Sequence, residues 1–307
     1  MAVAIIGARW ADTDLERGVL GVPADAIVTS PGTSSDEIVA AASSAQVIMA
    51  GPRPRFDAAT LEALSCRGIV RYGVGYDNVD TDAAARLGIT VAFVPDYGTE
   101  TVALHAFSMA LAALRRIPQL DVALKSGSWG FDQARPLHMP SSLTVGIVGF
   151  GRIGRATAKL FAAVGFGEVI AFDEFVEGPD ATASSLSELL EFSDVVSLHA
   201  PGAADGTPLL GKAELAEMKP GSVLVNTARG SLIDPGALRA ALLAGAPAVA
   251  ALDVFDPEPA DLSQFAGVEN QVIMTPHVAW YTVESEIALR TKTAEEAKRI
   301  LRAKRHS

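Results

Sequence analysis

Val145-Gly146-Ile147-Val148-Gly149-Phe150-Gly151-Arg152-Ile153-Gly154 decides the fold of this 307-residue chain. It opens as a short apolar run, the mark of a buried strand, and Arg155–Val164 continues it as a helix. Each glycine of the G-x-G-x-x-G then has a physical reason. Gly149 permits the tight turn, and Gly151 lets the backbone approach a pyrophosphate. Gly154 lets helix and strand pack closely. The helix N-terminus faces the phosphates of a dinucleotide, and Arg152 and Ile153 between the glycines are expected to bind the cofactor with them. The next strand, Val169-Ile170-Ala171-Phe172, ends at Asp173, nineteen residues beyond Gly154. An acid about 20 residues on accepts hydrogen bonds from the adenosine ribose. Its charge repels a 2′-phosphate, and Glu174 rather than a base follows it, so NAD is expected over NADP. Read alone, Asp173 is equally a surface residue at a strand end.

Working outward, the same βα rhythm runs through the chain. Thr144–Gly149, Glu168–Phe172, Val195–Ala200, Ser222–Asn226, Ala248–Asp253 and Val272–Thr275 read as strands of one series. An earlier series reads Val3–Gly7, Ala26–Thr29, Val47–Ala50, Gly68–Tyr72 and Thr90–Val94. Helical patterns Ser35–Ala42, Asp57–Ser65 and Asp80–Leu87 lie between its strands. Strands alternating with helices imply parallel sheets covered on both faces. Helical Thr99–Leu114 and Ile117–Ser126 separate the two series, followed by a Gly/Trp/Pro-rich surface loop over 127–142. The closing helix, Ser285–Arg305, follows a finished sheet, and such a helix often packs back on the first domain. The expected division is therefore a discontinuous domain of 1–98 plus 284–307 around a nucleotide domain of 99–283.

Composition narrows the function classes. The chain is 49% hydrophobic and 20% charged, enough apolar content for a sizeable core. Its net charge of -11 argues against a nucleic-acid-binding face. The one basic cluster, Lys298–Arg299 with Arg302, Lys304, Arg305 and His306, reads as a solvated helix end. The lone cysteine, Cys66, allows no internal disulfide and no cysteine-based zinc site, so no metal is expected. No signal peptide is readable over Met1–Arg9, and no apolar run reaches the ~20 residues of a membrane helix. The expectation is a cytoplasmic protein with no nucleic-acid or membrane partner.

Three polar segments follow later strands, at the sheet edge where open α/β folds bind ligands. They are Val225-Asn226-Thr227-Ala228-Arg229-Gly230-Ser231-Leu232-Ile233-Asp234, Ala251-Leu252-Asp253-Val254-Phe255-Asp256-Pro257-Glu258-Pro259, and Met274-Thr275-Pro276-His277-Val278-Ala279-Trp280-Tyr281. Each supplies one chemically useful group: Arg229, Glu258 and His277. With Arg71-Tyr72-Gly73-Val74-Gly75-Tyr76-Asp77-Asn78-Val79-Asp80 and the glycine loop, they make the chain resemble the D-isomer-specific 2-hydroxyacid dehydrogenase family. The resemblance implies two Rossmann-like/flavodoxin-like α/β domains with parallel sheets and an active site in the interdomain cleft. It implies hydride transfer between NAD and C2 of a small 2-keto or 2-hydroxy acid, in a homodimer formed near Thr99–Leu114.

The residue roles that the resemblance implies fit the chemistry. Reduction of a keto group needs a proton donor and a clamp for the carboxylate. His277 would exchange the proton, Glu258 would pair with it and orient its ring, and Arg229 would hold the carboxylate and keto oxygen. The Val74 and Gly75 N–H groups would hold the carboxylate's other end. Thr227 and Ala228 would line the nicotinamide, with Asp253 and Thr101 near its carboxamide. His199, Ala200, Pro201 and Thr207 would run along the adenosine side. The blander readings stand beside these: His277 as a structural histidine after Thr-Pro, Arg229 as a partner of Asp234, Glu258 as a solvated turn residue. His105, His138 and His306 keep capping, packing or solvent roles.

One departure concerns local packing alone, and two other features bear on the branch. Leu104 precedes His105 where many members carry an acid, and Glu258 in place of Gln argues against the formate dehydrogenase branch. His277-Val278-Ala279-Trp280-Tyr281 is similar to the C-terminal-binding-protein branch, in which the Trp contacts the substrate side chain. Trp280 would then favour an apolar or thioether tail; otherwise it packs at a domain or dimer seam. Arg53 and Arg55 either greet a second anionic group or are solvated loop arginines. The alternative function is an NAD(H)-sensing binding or corepressor-like protein with vestigial catalysis; the chain's end soon after the last helix speaks against corepression.

Overall fold

The computed structural model describes residues 3–10, 12–176, 182–183, 185–203 and 205–303. Lys304, Arg305 and His306 lie outside the described residues. The chain forms two compact units, Met1–Gly98 with Thr282–Ser307, and Thr99–Tyr281.

The first unit holds β1 (Val3–Ile6), β2 (Ile27–Ser30), β3 (Val47–Ala50), β4 (Gly68–Arg71) and β5 (Thr90–Phe93) in the order β2-β1-β3-β4-β5. All neighbours pair in parallel, with Val3 opposite both Ile27 and Val47. The central strands β1, β3 and β4 are buried along their whole length, which is why they read as unbroken apolar runs. Helices α1 (Asp14–Leu20), α2 (Ser35–Ala42), α3 (Ala58–Glu62) and α4 (Thr81–Arg86) connect them. Ser34, Asp57 and Asp80 start the last three by accepting from the amides of Glu37, Thr60 and Ala83. Ile6, Ile38, Ile48, Phe56, Leu61 and Ile69 form the core.

The second unit begins with α5 (Thr99–Leu114) and α6 (Ile117–Lys125). Its sheet comprises β6 (Thr144–Val148), β7 (Glu168–Phe172), β8 (Val195–Leu198), β9 (Val223–Asn226), β10 (Val249–Leu252) and β11 (Val272–Met274), ordered β11-β10-β9-β8-β6-β7 and parallel throughout. Helices α7 (Arg152–Val164), α8 (Leu186–Phe192), α9 (Lys212–Glu217) and α10 (Pro235–Ala244) link the strands. One face buries Leu189, Leu198, Leu224 and Leu252. The other buries Ala106, Phe107, Phe161 and Val225, with α5 packed on α7 and the Phe107 and Phe161 rings edge to face at 5.0 Å.

The closing helix α11 (Val283–Arg302) packs on α1, β3 and β4. Thr282 and Ser285 cap it reciprocally, so the returning segment starts at Thr282 rather than at 284. Other differences from the sequence reading are local. Helix α7 opens at Arg152, not 155, because the extended backbone of Gly151 makes it the N-cap and Gly154 falls inside the first turn. Strands β1 and β6 stop short where Gly7 (φ 70) and Gly149 (φ 88) turn the chain. Among the described residues no helix is long and apolar enough to cross a membrane.

Candidate active site

Strand β6 delivers the glycine loop, and the three glycines there do three different things. A Cβ on Gly149 would lie 2.5 Å from the Ala200 nitrogen, and one on Gly154 only 2.1 Å from the Gly149 oxygen. Both positions are tight against the protein itself. A Cβ on Gly151 would meet nothing within 4 Å, so the space kept clear there opens away from the protein. That is the fit expected for a pyrophosphate approaching the N-terminus of the 13-residue α7. Asp173 accepts from the Phe150 amide at 2.6 Å and from the Phe175 amide at 2.8 Å, pinning its carboxylate beside the loop. The Arg155 guanidinium sits over the Phe150 ring at 4.6 Å.

At the end of β8, the His199 amide donates to the Val148 carbonyl at 2.7 Å, and Ser197 Oγ lies 2.9 Å from His199 Nε2. Burial pushes this imidazole down to about 4, so it is neutral near neutral pH. Ala200 and Pro201 follow it, and Thr207 is exposed with its amide donating to Asp205 at 3.0 Å.

The adjacent strands β9, β10 and β11 carry Arg229, Glu258 and His277 on the loops after them. Asn226 shapes the first loop: its Oδ1 accepts from the Ala228 amide at 3.0 Å and its Nδ2 donates to the Arg229 carbonyl at 2.8 Å. Arg229 is half-buried and donates to the Ala228 carbonyl at 2.7 Å. Gly230 brings this loop against the next one, since a Cβ there would lie 2.1 Å from the Phe255 carbonyl carbon. Thr227 Oγ1 is buried with no hydrogen-bond partner among the described residues, which fits a polar group supplied by a ligand. In the third loop, His277 Nδ1 lies 2.8 Å from Glu258 Oε2, with both side chains about a third exposed at 36% and 37%. The expected pair is therefore assembled, and the ring's Nε2 is left as the edge available to a substrate.

His277 also has φ 52, an uncommon backbone for a residue with a Cβ. It is held there by Asp253, which is fully buried. The sequence reading put Asp253 near the nicotinamide. Here its carboxylate accepts from Thr275 Oγ1 (2.5 Å) and the Val278 and Ala279 amides (both 2.9 Å). Thr101 lies in the first turn of α5 and is half-buried, and the half-buried Trp280 ring meets the Tyr281 ring edge-on at 5.5 Å.

Val74 and Gly75 belong to the first unit, in the bend after β4, and Val74 is exposed. Arg71 fixes that bend by donating to the Tyr72 carbonyl and, at 3.1 Å, to Asn78 Oδ1. Asn78 in turn donates to the Gly51 and Pro54 carbonyls at 3.2 and 2.6 Å. Arg53 and Arg55 are exposed. Sequence reasoning passed over Asn226 and Thr275 and left His105 to packing. Asn226 and Thr275 flank residues it did select, so strand-end polar residues were the available signal.

Residues 107–279 match the family model described as D-isomer specific 2-hydroxyacid dehydrogenase, NAD binding domain. The chain belongs to the D-isomer-specific 2-hydroxyacid dehydrogenase family. NAD is the cofactor of the matched domain. The chain is 38% identical to the glyoxylate reductase of Thermococcus litoralis, over 71% of this chain and 68% of that protein. It is 36% identical to the D-3-phosphoglycerate dehydrogenase of Mycobacterium tuberculosis, over 94% of this chain and 52% of that protein. The chain thus spans about half the length of the phosphoglycerate dehydrogenases it matches. In fold it is similar to the D-lactate dehydrogenase of Aquifex aeolicus, solved with NAD and lactic acid, with a TM-score of 0.85 at 27% identity, covering 96% of this chain and 94% of that one.

Proposed function

We propose that the chain is an NAD-dependent D-2-hydroxyacid dehydrogenase acting as a reductase of small 2-keto acids. The 2.8 Å contact between His277 and Glu258, in the unit that carries the glycine loop, is the observation behind this reading. Bound NAD supplies or takes up the hydride at C2. Glu258 accepts from His277 Nδ1, which fixes the tautomer and leaves Nε2 to give a proton in reduction and take one in oxidation. The Arg229 fork holds the carboxylate and keto oxygen. Thr227 and Ala228 line the nicotinamide, with Thr101 assigned to its carboxamide end, while the fully buried Asp253 carboxylate is taken up by Thr275, Val278 and Ala279. Asp173 takes the adenosine ribose, and His199, Ala200, Pro201 and Thr207 flank it.

Trp280 follows the pattern of the C-terminal-binding-protein branch and selects an apolar or thioether tail. A homodimer fits the apolar side chains exposed along the second unit's start: Leu104, Ile117, Val122, Leu124 and Phe131. Light scattering after size exclusion tests it. The single cysteine fits a cytoplasmic setting.

The test of function is NADH absorbance decay with glyoxylate, hydroxypyruvate, pyruvate, phenylpyruvate and 4-methylthio-2-oxobutyrate. Turnover is expected, with His277→Ala lowering it at least ~10²-fold while NADH still binds. Tight NADH binding with no turnover of any of the five makes the chain an NADH-sensing binder instead.

A further inference from the structure

Three consecutive amides converge on one buried carboxylate residue. His277 N donates to the Asp253 carbonyl at 2.8 Å, and the Val278 and Ala279 amides donate to its two carboxylate oxygens at 2.9 Å each. This cradle holds His277 at φ 52, a conformation that persists only when the surroundings over-determine it. Asp253 Oδ1 also accepts the single hydroxyl proton of Thr275, at 2.5 Å. That proton is then committed, so at the 3.1 Å contact between His105 Nε2 and Thr275 Oγ1 the imidazole donates. The same His105 nitrogen lies 3.7 Å from Asp253 Oδ1. His105 stands on α5, Thr275 beyond β11 and Asp253 beyond β10, so three elements of one unit meet at this point.

We propose that His105 is a positioning residue for His277, acting through the Thr275 hydroxyl and the Asp253 carboxylate. The inference rests on the reading of His277 as the acid–base group. His105 fixes the direction of the Thr275 hydroxyl, and Thr275 fixes the Asp253 carboxylate. Asp253 then sets the turn that presents the imidazole to Glu258. A positioned ring is worth more to the chemical step than to binding, because a small misplacement costs rate steeply. The effect falls on kcat rather than on affinity for NADH.

The test uses His105→Leu, which removes the donor, His105→Gln, which keeps an N–H at similar reach, and Thr275→Val. Amide hydrogen exchange is measured at Val278 and Ala279 in the NADH complex, beside kcat, KM and the NADH Kd. His105→Leu and Thr275→Val are expected to speed exchange at both amides about tenfold and to lower kcat roughly five- to tenfold, with NADH Kd unchanged. His105→Gln is expected to stay within about twofold of the parent protein. Unchanged exchange in His105→Leu overturns the proposal, as does an equal kcat loss in His105→Gln. Should His105→Leu not fold, Thr275→Val decides alone. If the parent protein turns over no 2-keto acid, the proposed function fails, while the exchange rates still decide whether His105 holds the turn.

Discussion

The two sheets are wound alike and their crevices differ. In the first unit the strand order is β2-β1-β3-β4-β5, and in the second the same winding appears as β7-β6-β8-β9-β10 with β11 added. Each has a topological switch between its first and third strands, where open α/β sheets take ligands. In the first unit that place is filled by protein. A Cβ on Gly7 would lie 2.4 Å from Pro54, and one on Gly51 only 2.0 Å from the Gly7 oxygen. In the second unit Gly149 and Gly154 are as tightly enclosed, yet Gly151 faces open space. One winding serves twice, and the loop after the first strand decides whether the switch point is a wall or a berth.

The units also spend their buried charge differently, and breaking this contrast carries the largest expected effect. In the first unit Arg290 of α11 makes a two-pronged contact with the fully buried Glu16 of α1, at 2.9 and 2.8 Å. Tyr72 Oη, 3.3 Å away, donates to the same carboxylate, and Trp10 lies under the guanidinium at 5.1 Å. Burial and the nearby Glu16 charge push the Tyr72 phenol well above its usual range. Arg290→Met strands the Glu16 charge and is expected to cost roughly 3–5 kcal/mol, read as a lower urea midpoint. Pairing it with Glu16→Leu should recover most of that loss. A double variant no more stable than Arg290→Met would show that the helix–helix contact, rather than the charge, holds α11 in place.

The second unit holds its buried Asp253 carboxylate on amides and a hydroxyl rather than a guanidinium, and it also carries a neutral imidazole whose cost depends on pH. His199 has a folded value of about 4 against its usual 6.5. Above pH 6.5 both folded and unfolded chains carry the ring neutral, so nothing is lost. As pH falls from 6.5 toward 4, the unfolded chain takes up a proton that the folded one refuses, and stability drops. Below 4 the loss levels off. The half-buried position tempers the penalty to on the order of 2 kcal/mol. His199→Asn should therefore narrow the gap between urea midpoints at pH 7.5 and 4.5. An unaltered gap would assign the acid sensitivity to the carboxylates.

How much of this was legible in the sequence follows from which interactions are local. Strands β8, β9 and β10 are buried end to end, so their apolar runs announced them. The His277–Glu258 pair was legible because neighbouring parallel strands bring their C-terminal loops together. The Glu16–Arg290 contact spans 274 positions, and no pattern along the chain could show it. Asp253 was legible as a strand-end acid, but not the commitment of its carboxylate to Thr275, Val278 and Ala279. His105 sits in an Ala- and Leu-rich helix whose periodicity marks a buried face without saying what that face meets.

The smallest expected effect sharpens the contrast between the two switch points most directly. Gly151→Ala adds one methyl group where the protein offers no contact within 4 Å. Gly151 has φ -74, so the new residue needs no unusual backbone. The urea midpoint should consequently stay within about 0.5 kcal/mol of the parent. On the proposed reading the backbone approaches a pyrophosphate there, so NADH Kd is expected to rise about tenfold, equivalent to ~1.4 kcal/mol. In the first unit Gly51→Ala exchanges the two outcomes: it presses on the Gly7 oxygen, lowers stability by roughly 2 kcal/mol, and leaves NADH Kd alone. A Gly151→Ala protein that binds NADH like its parent would mean that the open space beside the glycine loop does not receive the phosphates.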